Sequence, residues 1–71
     1  MKSEVRVGDR LTYRVGSIYI TGVLKKISSR TVVYKDHHYI YHIEVEESND
    51  LRILPGETFS DDEVYFTKTN N

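Results

Sequence analysis

HHYIYHIEVEE, residues 37–47, decides how the rest of this chain is read. From His38 onward its odd positions are Tyr39, Tyr41, Ile43 and Val45; its even positions are His38, Ile40, His42, Glu44 and Glu46. Neighbouring side chains on a strand take opposite faces. The alternation therefore predicts a long strand with the two tyrosines, Ile43 and Val45 turned into a core. The polar face, broken only by Ile40, is left for water or a partner.

Working outward, VRVGDRLTYRV (5–15) repeats the pattern, with Val5, Val7, Leu11, Tyr13 and Val15 against Arg6, Arg10, Thr12 and Arg14. Gly8-Asp9 reads as a turn before its main run, and Val15-Gly16-Ser17 as a tight turn after it. In SIYITGVLKKI (17–27), Ile18 and Ile20 share one parity and Val23 and Ile27 the other. Such a phase change predicts a bulge or bend at Gly22. Ser28-Ser29-Arg30 reads as the next turn, TVVYKD (31–36) as a short strand and LRIL (51–54) as a brief final one, before the stop at Pro55-Gly56. Ser60 and Glu63 have capping-box spacing, which predicts one short helical turn near residues 60–63. The favoured alternative is a loop feeding an edge strand from Glu63 to Lys68.

The sum is an all-β fold: a small curled antiparallel sheet or a partly open five-stranded barrel. The chain has 71 residues, which is one domain. The barrel core is expected over about residues 5–54, with 55–71 as an extension whose last residues fray. A chain this small buries only about 60% of its unfolded surface, so its stability is a few kcal/mol. It contains no cysteine, so disulfides and thiolate ligands are excluded. No apolar run approaches the roughly 20 residues that span a bilayer, and the charged start does not lead into a signal core. No membrane role and a cytoplasmic location are expected.

The order Val7-Gly8-Asp9, Leu11, Tyr13, Gly22-Val23, Ile27, Val32 and Leu51-Arg52-Ile53-Leu54 resembles a Src-homology-three-like small barrel. The VGDRLTY…GVLKKI portion is most similar to the KOW and Tudor-type branches. That resemblance, over residues 5–54, implies a binding module for peptides, RNA or protein subunits and seldom an enzyme. No tryptophan is present for a proline-binding groove. An aromatic cage for methylated side chains conflicts with the core parity of Tyr39 and Tyr41.

Chemistry has little to work with. His38 and His42 lie four residues apart on a strand, about 13 Å, too far for one ion to bridge. His42 with Glu44 is the best local pair, and two ligands do not close a site. No metal or cofactor is expected. Serine, histidine and acid occur at no catalytic spacing, and no phosphate loop is present. An enzyme is not expected.

Charge is the remaining signal. Residues 1–37 carry eight bases against three acids, a balance of +5; residues 38–71 carry two bases against eight acids, −6. Either the halves form two partner-facing surfaces or they neutralise each other across the sheet. Tyr19, Lys25, Lys26, Arg30, Tyr34 and Lys35 are the candidate contacts, with His38, His42 and Glu44 as secondary ones on the outer face. In an interface, His38 and His42 would make binding fall between about pH 7 and 5.5. A protein partner is expected first, for an adaptor or inhibitor of the kind found among phage and mobile-element accessory proteins. Nucleic acid at the basic end is the alternative.

Overall fold

The structure, a computed structural model, describes residues 5–30 and 38–69, with backbone alone at positions 30 and 38. β1 (Arg10–Val15), β2 (Ile18–Arg30), β3 (His38–Ser48), β4 (Thr58–Asp62) and β5 (Phe66–Lys68) form one antiparallel sheet. A 3-10 turn, Glu63–Tyr65, links β4 to β5, and the strand order is β4-β3-β2-β1-β5. The strand read from residues 31–36 falls outside the described residues.

β1 and β2 meet at the pair Val15↔Ile18, leaving Gly16-Ser17 as a two-residue turn. Only Gly16 there has a positive φ, +59°, so the turn has II′ geometry, whose twist matches that of the flanking strands.

Two irregularities bend the long β2–β3 pair. Thr21↔Glu47 is followed by Gly22↔Val45, so Glu46 is an extra residue on β3. Leu24↔Ile43 is followed by Lys26↔His42, so Lys25 is extra on β2. At the first, the backbones close so tightly that a Cβ on Gly22 would lie 2.3 Å from the Glu44 carbonyl oxygen. A bulge at Gly22 is therefore present, but the phase change on β2 comes three residues later. Gly22 and Leu24 are buried, Val23 is on the outer face opposite Glu44, and only after Lys25 does Ile27 join the face of Tyr41.

The core is Leu11, Tyr13, Ile20, Leu24, Tyr41, Ile43, Val45 and Phe66, with Val5, Val15, Ile18, Ile53 and Phe59 packed against it. Side chains draw the two ends of the sheet together. The Tyr13 hydroxyl on β1 donates to Asp61 Oδ2 on β4 at 2.6 Å. Its ring meets Phe59 edge-on at 4.7 Å and lies 5.0 Å from Phe66, which in turn lies 5.6 Å from Tyr41. Among the described residues the backbone ladder itself does not close.

Several expectations are corrected. Tyr39 has core parity yet is 46% exposed, because β1 pairs with β2 no further than Val23, well short of Ser29, the partner of Tyr39. Val7 is 60% exposed for a related reason: it lies in the turn held by Asp9 N to Arg6 O, before β1 begins. Ser28-Ser29-Arg30 is not a turn; all three continue β2. LRIL is not a strand. Asp50 Oδ1 accepts from Arg52 N at 2.9 Å and the Asp50 carbonyl from Ile53 N at 3.0 Å, an Asx-type turn that takes the backbone groups a ladder would need. The segment after Leu54 is no appendage, since it supplies β4 and β5. The helical turn starts at Glu63, capped by Asp62 rather than Ser60. The edge strand is β5, shorter than expected.

Burial first, then the Asp61 carboxylate, pushes the Tyr13 phenol well above its ordinary pKa of 10.0. The folded chain thus holds this proton more tightly than the unfolded chain does. The stabilisation is complete below the unfolded phenol's pKa and drains away as pH rises past it. Tyr13→Phe is expected to cost about 1.5–3 kcal/mol, as for a hydrogen bond to a charged group. Urea melts at several alkaline pH values should show a shallower alkaline loss than in the parent; equal slopes would contradict the contact.

Candidate functional site

The outer face of the sheet carries the charges, and they meet across strands. Arg10 on β1 grips Glu46, the bulged residue of β3, with Nε to Oε1 at 2.8 Å and Nη2 to Oε2 at 3.2 Å. Lys25, the bulged residue of β2, lies 3.4 Å from Glu44. At these two pairs, bases of the first half are neutralised by acids of the second. On the opposite face, which Lys68 shares with its partner Leu11, Lys68 lies 3.4 Å from Asp9. The Arg10 contact raises the guanidinium and lowers the Glu46 carboxyl, in each case chiefly through the hydrogen bond. These pairs are exposed and stabilise little. Their main effect is to occupy cations that would otherwise be free.

A groove of about 360 Å³ opens where β2 and β3 meet the β3–β4 loop, lined by Tyr19, Glu46, Glu47, Ser48, Asn49 and Pro55. Its geometry is set by Asn49. Asn49 Oδ1 accepts from Tyr19 N at 2.9 Å, its Nδ2 donates to Ser17 O at 2.9 Å, and its own N–H donates to Tyr19 O at 3.1 Å. The loop is thereby fastened to the β1–β2 hairpin. Tyr19 stays 37% exposed, with the Arg14 guanidinium 5.3 Å from its ring centroid.

Beyond Asn49 a second groove of about 510 Å³ is lined by Ser17, Ile18, Asp50, Leu51 and Arg52. Arg52 clamps Asp50 at 2.8 Å, and its hydrogen bond takes the Asp50 carboxyl down to about 2. Leu51 stands 92% exposed and Leu54 51% exposed. This end of the molecule therefore presents Tyr19 in one concavity and Leu51 in the other, and exposes Leu54 on the loop that Asn49 and Asp50 lock.

A different face lies at the 3-10 turn. Tyr65 and Val64 are exposed, the Tyr13 and Tyr65 rings are 6.1 Å apart, and Tyr39 N donates to Glu63 Oε2 at 3.3 Å. Burial first, and then Glu63, raises the Tyr41 phenol.

Of the residues singled out from sequence, Tyr19 is in the groove and Lys25 is held by Glu44. Lys26 is exposed on the outer face opposite His42. His42 is half-buried, with Nε2 2.9 Å from Ser28 Oγ. Tyr34 and Lys35, and the side chains of Arg30 and His38, lie outside the described residues. The structure does not gather Tyr19, Lys25 and Lys26 into one patch: Lys25 and Lys26 sit on β2 well past the groove. Asn49, Leu51, Leu54 and Pro55 were missed. Leu51 and Leu54 read from sequence as part of a strand and Pro55 as its stop, so none of them stands out as a contact. Among the described residues no group of three or more His, Asp or Glu side chains is placed to hold a metal ion. None of their helices is long and apolar enough to cross a membrane.

No protein-family model, curated protein or solved structure matches the chain.

Proposed function

We propose that this chain is a non-enzymatic recognition module of the Src-homology-three-like small-barrel kind, and that its ligand is another protein. The barrel reading draws support from the meander of β1 to β4, the 3-10 turn before the last strand and the return of β5 beside β1. The observation that carries the protein reading is the groove lined by the half-exposed Tyr19, next to a second groove lined by the exposed Leu51. Aromatic side chains beside pre-formed, desolvatable pockets are where protein interfaces concentrate their binding energy. Nucleic acid needs a track of free cations. Here Arg10, Lys25, Arg52 and Lys68 are each held by a carboxylate of the same chain.

Amide spectra of the labelled protein, titrated separately with a panel of short peptides carrying apolar anchors and with RNA and DNA oligonucleotides, test this. A binding peptide should move the amides of Tyr19, Ser48 and Asn49. Tyr19→Ala should then weaken that peptide about tenfold or more, as for an interface anchor. Tight oligonucleotide binding with a steep salt dependence, alongside no peptide binding, would overturn the reading in favour of nucleic acid.

A further inference from the structure

The extra residue at the bulge beside Gly22 brings two successive glutamates to the Tyr19 groove. A regular strand would send Glu46 and Glu47 to opposite faces. Here Glu46 is the bulged residue, while Val45 before the pair is in the core and Ser48 after it lies opposite the buried Ile20. Glu46 and Glu47 therefore both stay exposed, and both line the groove.

Most of the charged and amide groups around this groove already have partners. Arg10 takes both oxygens of Glu46. The Ser48 hydroxyl accepts from Asp50 N at 3.0 Å, and the Asn49 amide joins Tyr19 N to Ser17 O. Glu47 differs: among the described residues, no cation or hydrogen-bond donor engages its carboxylate. Arg14, the cation beside Tyr19, belongs to β1, on the other side of β2 from Glu47, and does not line the groove. One negative charge in the groove is thus left uncompensated, next to the half-exposed Tyr19 and to Pro55.

We infer that the peptide this groove takes carries a lysine or arginine beside its apolar anchor, the anchor packing on Tyr19 and Pro55 and the cation meeting Glu47. The inference rests on the reading of the groove as a peptide site. A wholly apolar ligand would strip water from the Glu47 carboxylate and give it no partner, which costs more than burying a paired charge. An acidic ligand would set like charges together. A basic side chain removes both penalties. Its aliphatic stem can lie along the tyrosine ring while its charged head stays near water. The volume of about 360 Å³ is at the small end for ligand pockets, which suits an anchor and one neighbour rather than a long segment. Glu47 is then the residue that sets specificity, and Tyr19 the one that supplies contact area.

The test uses the same panel of anchor-bearing peptides, each made in four forms with arginine, lysine, glutamine or glutamate beside the anchor. Amide spectra of the full chain follow each titration. The basic forms should move the amides of Tyr19, Glu47 and Asn49, and bind about fivefold more tightly than the glutamine form at low salt, as for one exposed ion pair. That preference should shrink as salt rises. Glu47→Gln should abolish it, and Glu47→Lys should transfer it to the glutamate form. Urea midpoints of both variants should match the parent, since the Glu47 side chain is exposed and holds nothing in place. Equal affinity of basic and glutamine forms at these amides, or a preference that survives Glu47→Gln, would overturn the inference and leave the peptide groove standing. Amides unmoved by every form would overturn both.

Discussion

Gly22→Ala leaves little folded protein at room temperature: that is the largest single effect the structure leads us to expect. A methyl group at Gly22 lies 2.3 Å from the Glu44 carbonyl oxygen, 3.0 Å from its carbon and 3.1 Å from Ile43 Cδ1. Two of these atoms are backbone, so no side-chain rotation relieves the clash. β2 and β3 must separate at the bulge, where Gly22, Leu24 and Ile43 are all buried. Overpacking costs about 3 kcal/mol at the upper end of its range. A chain of this size has only a few kcal/mol in total. Gly16→Ala is the control. Nothing lies within 4 Å of its added carbon, and only the strained φ of +59° acts, for about 1–2 kcal/mol. Urea midpoints rank the two variants. A Gly22→Ala midpoint within error of the parent would mean the strands do not approach as described.

The second large effect separates two residues of equal parity on one strand. Ile43 is fully buried against both flanking strands, so Ile43→Ala should lose about 3–4 kcal/mol through lost transfer energy and the cavity left behind. Tyr39 has the same alternation four residues earlier but is 46% exposed, with Ser29 as its β2 partner. Tyr39→Ala should therefore stay within about 1 kcal/mol of the parent. Equal losses at the two sites would mean that the inner face is covered as far as Tyr39, and would require β1 or β5 to extend further along the hairpin.

The contrast marks how far the sequence could be read. Leu11, Tyr13, Tyr41, Ile43 and Val45 announce themselves by alternation, and each is buried. Gly22 announces a bulge, and a bulge is there. The alternation of 18–27 misplaced the phase change because the inserted residue is Lys25, a lysine like its neighbour, with nothing in its chemistry to mark it. The segment TFSDD carries too little apolar content to look like a strand. It becomes one because Phe59 packs on Tyr13, and because Val45 N donates to Glu57 O at 2.8 Å and Gly56 N to Val45 O at 2.8 Å, leading it along β3. LRIL looks like a strand and is not, since local Asp50 and Glu57 side chains take its backbone donors first. The candidate site was legible only in Tyr19. A groove is made by residues brought together from distant stretches, here Tyr19, Glu47 and Pro55.

The sequence by itself determined the period of the chain: which residues share a face, and hence an all-β fold with its central strands. Alternation is local, set by the backbone geometry of adjacent residues, so it needs no knowledge of the rest of the molecule. Tertiary structure alone decided which of those faces are covered, which cations are already held, and where a ligand can sit. Coverage depends on where β1, β4 and β5 stop against the long β2–β3 hairpin, and neutralisation on registers that set Arg10 beside Glu46 across 36 residues. Those are distances through space, and no spacing along the chain encodes them.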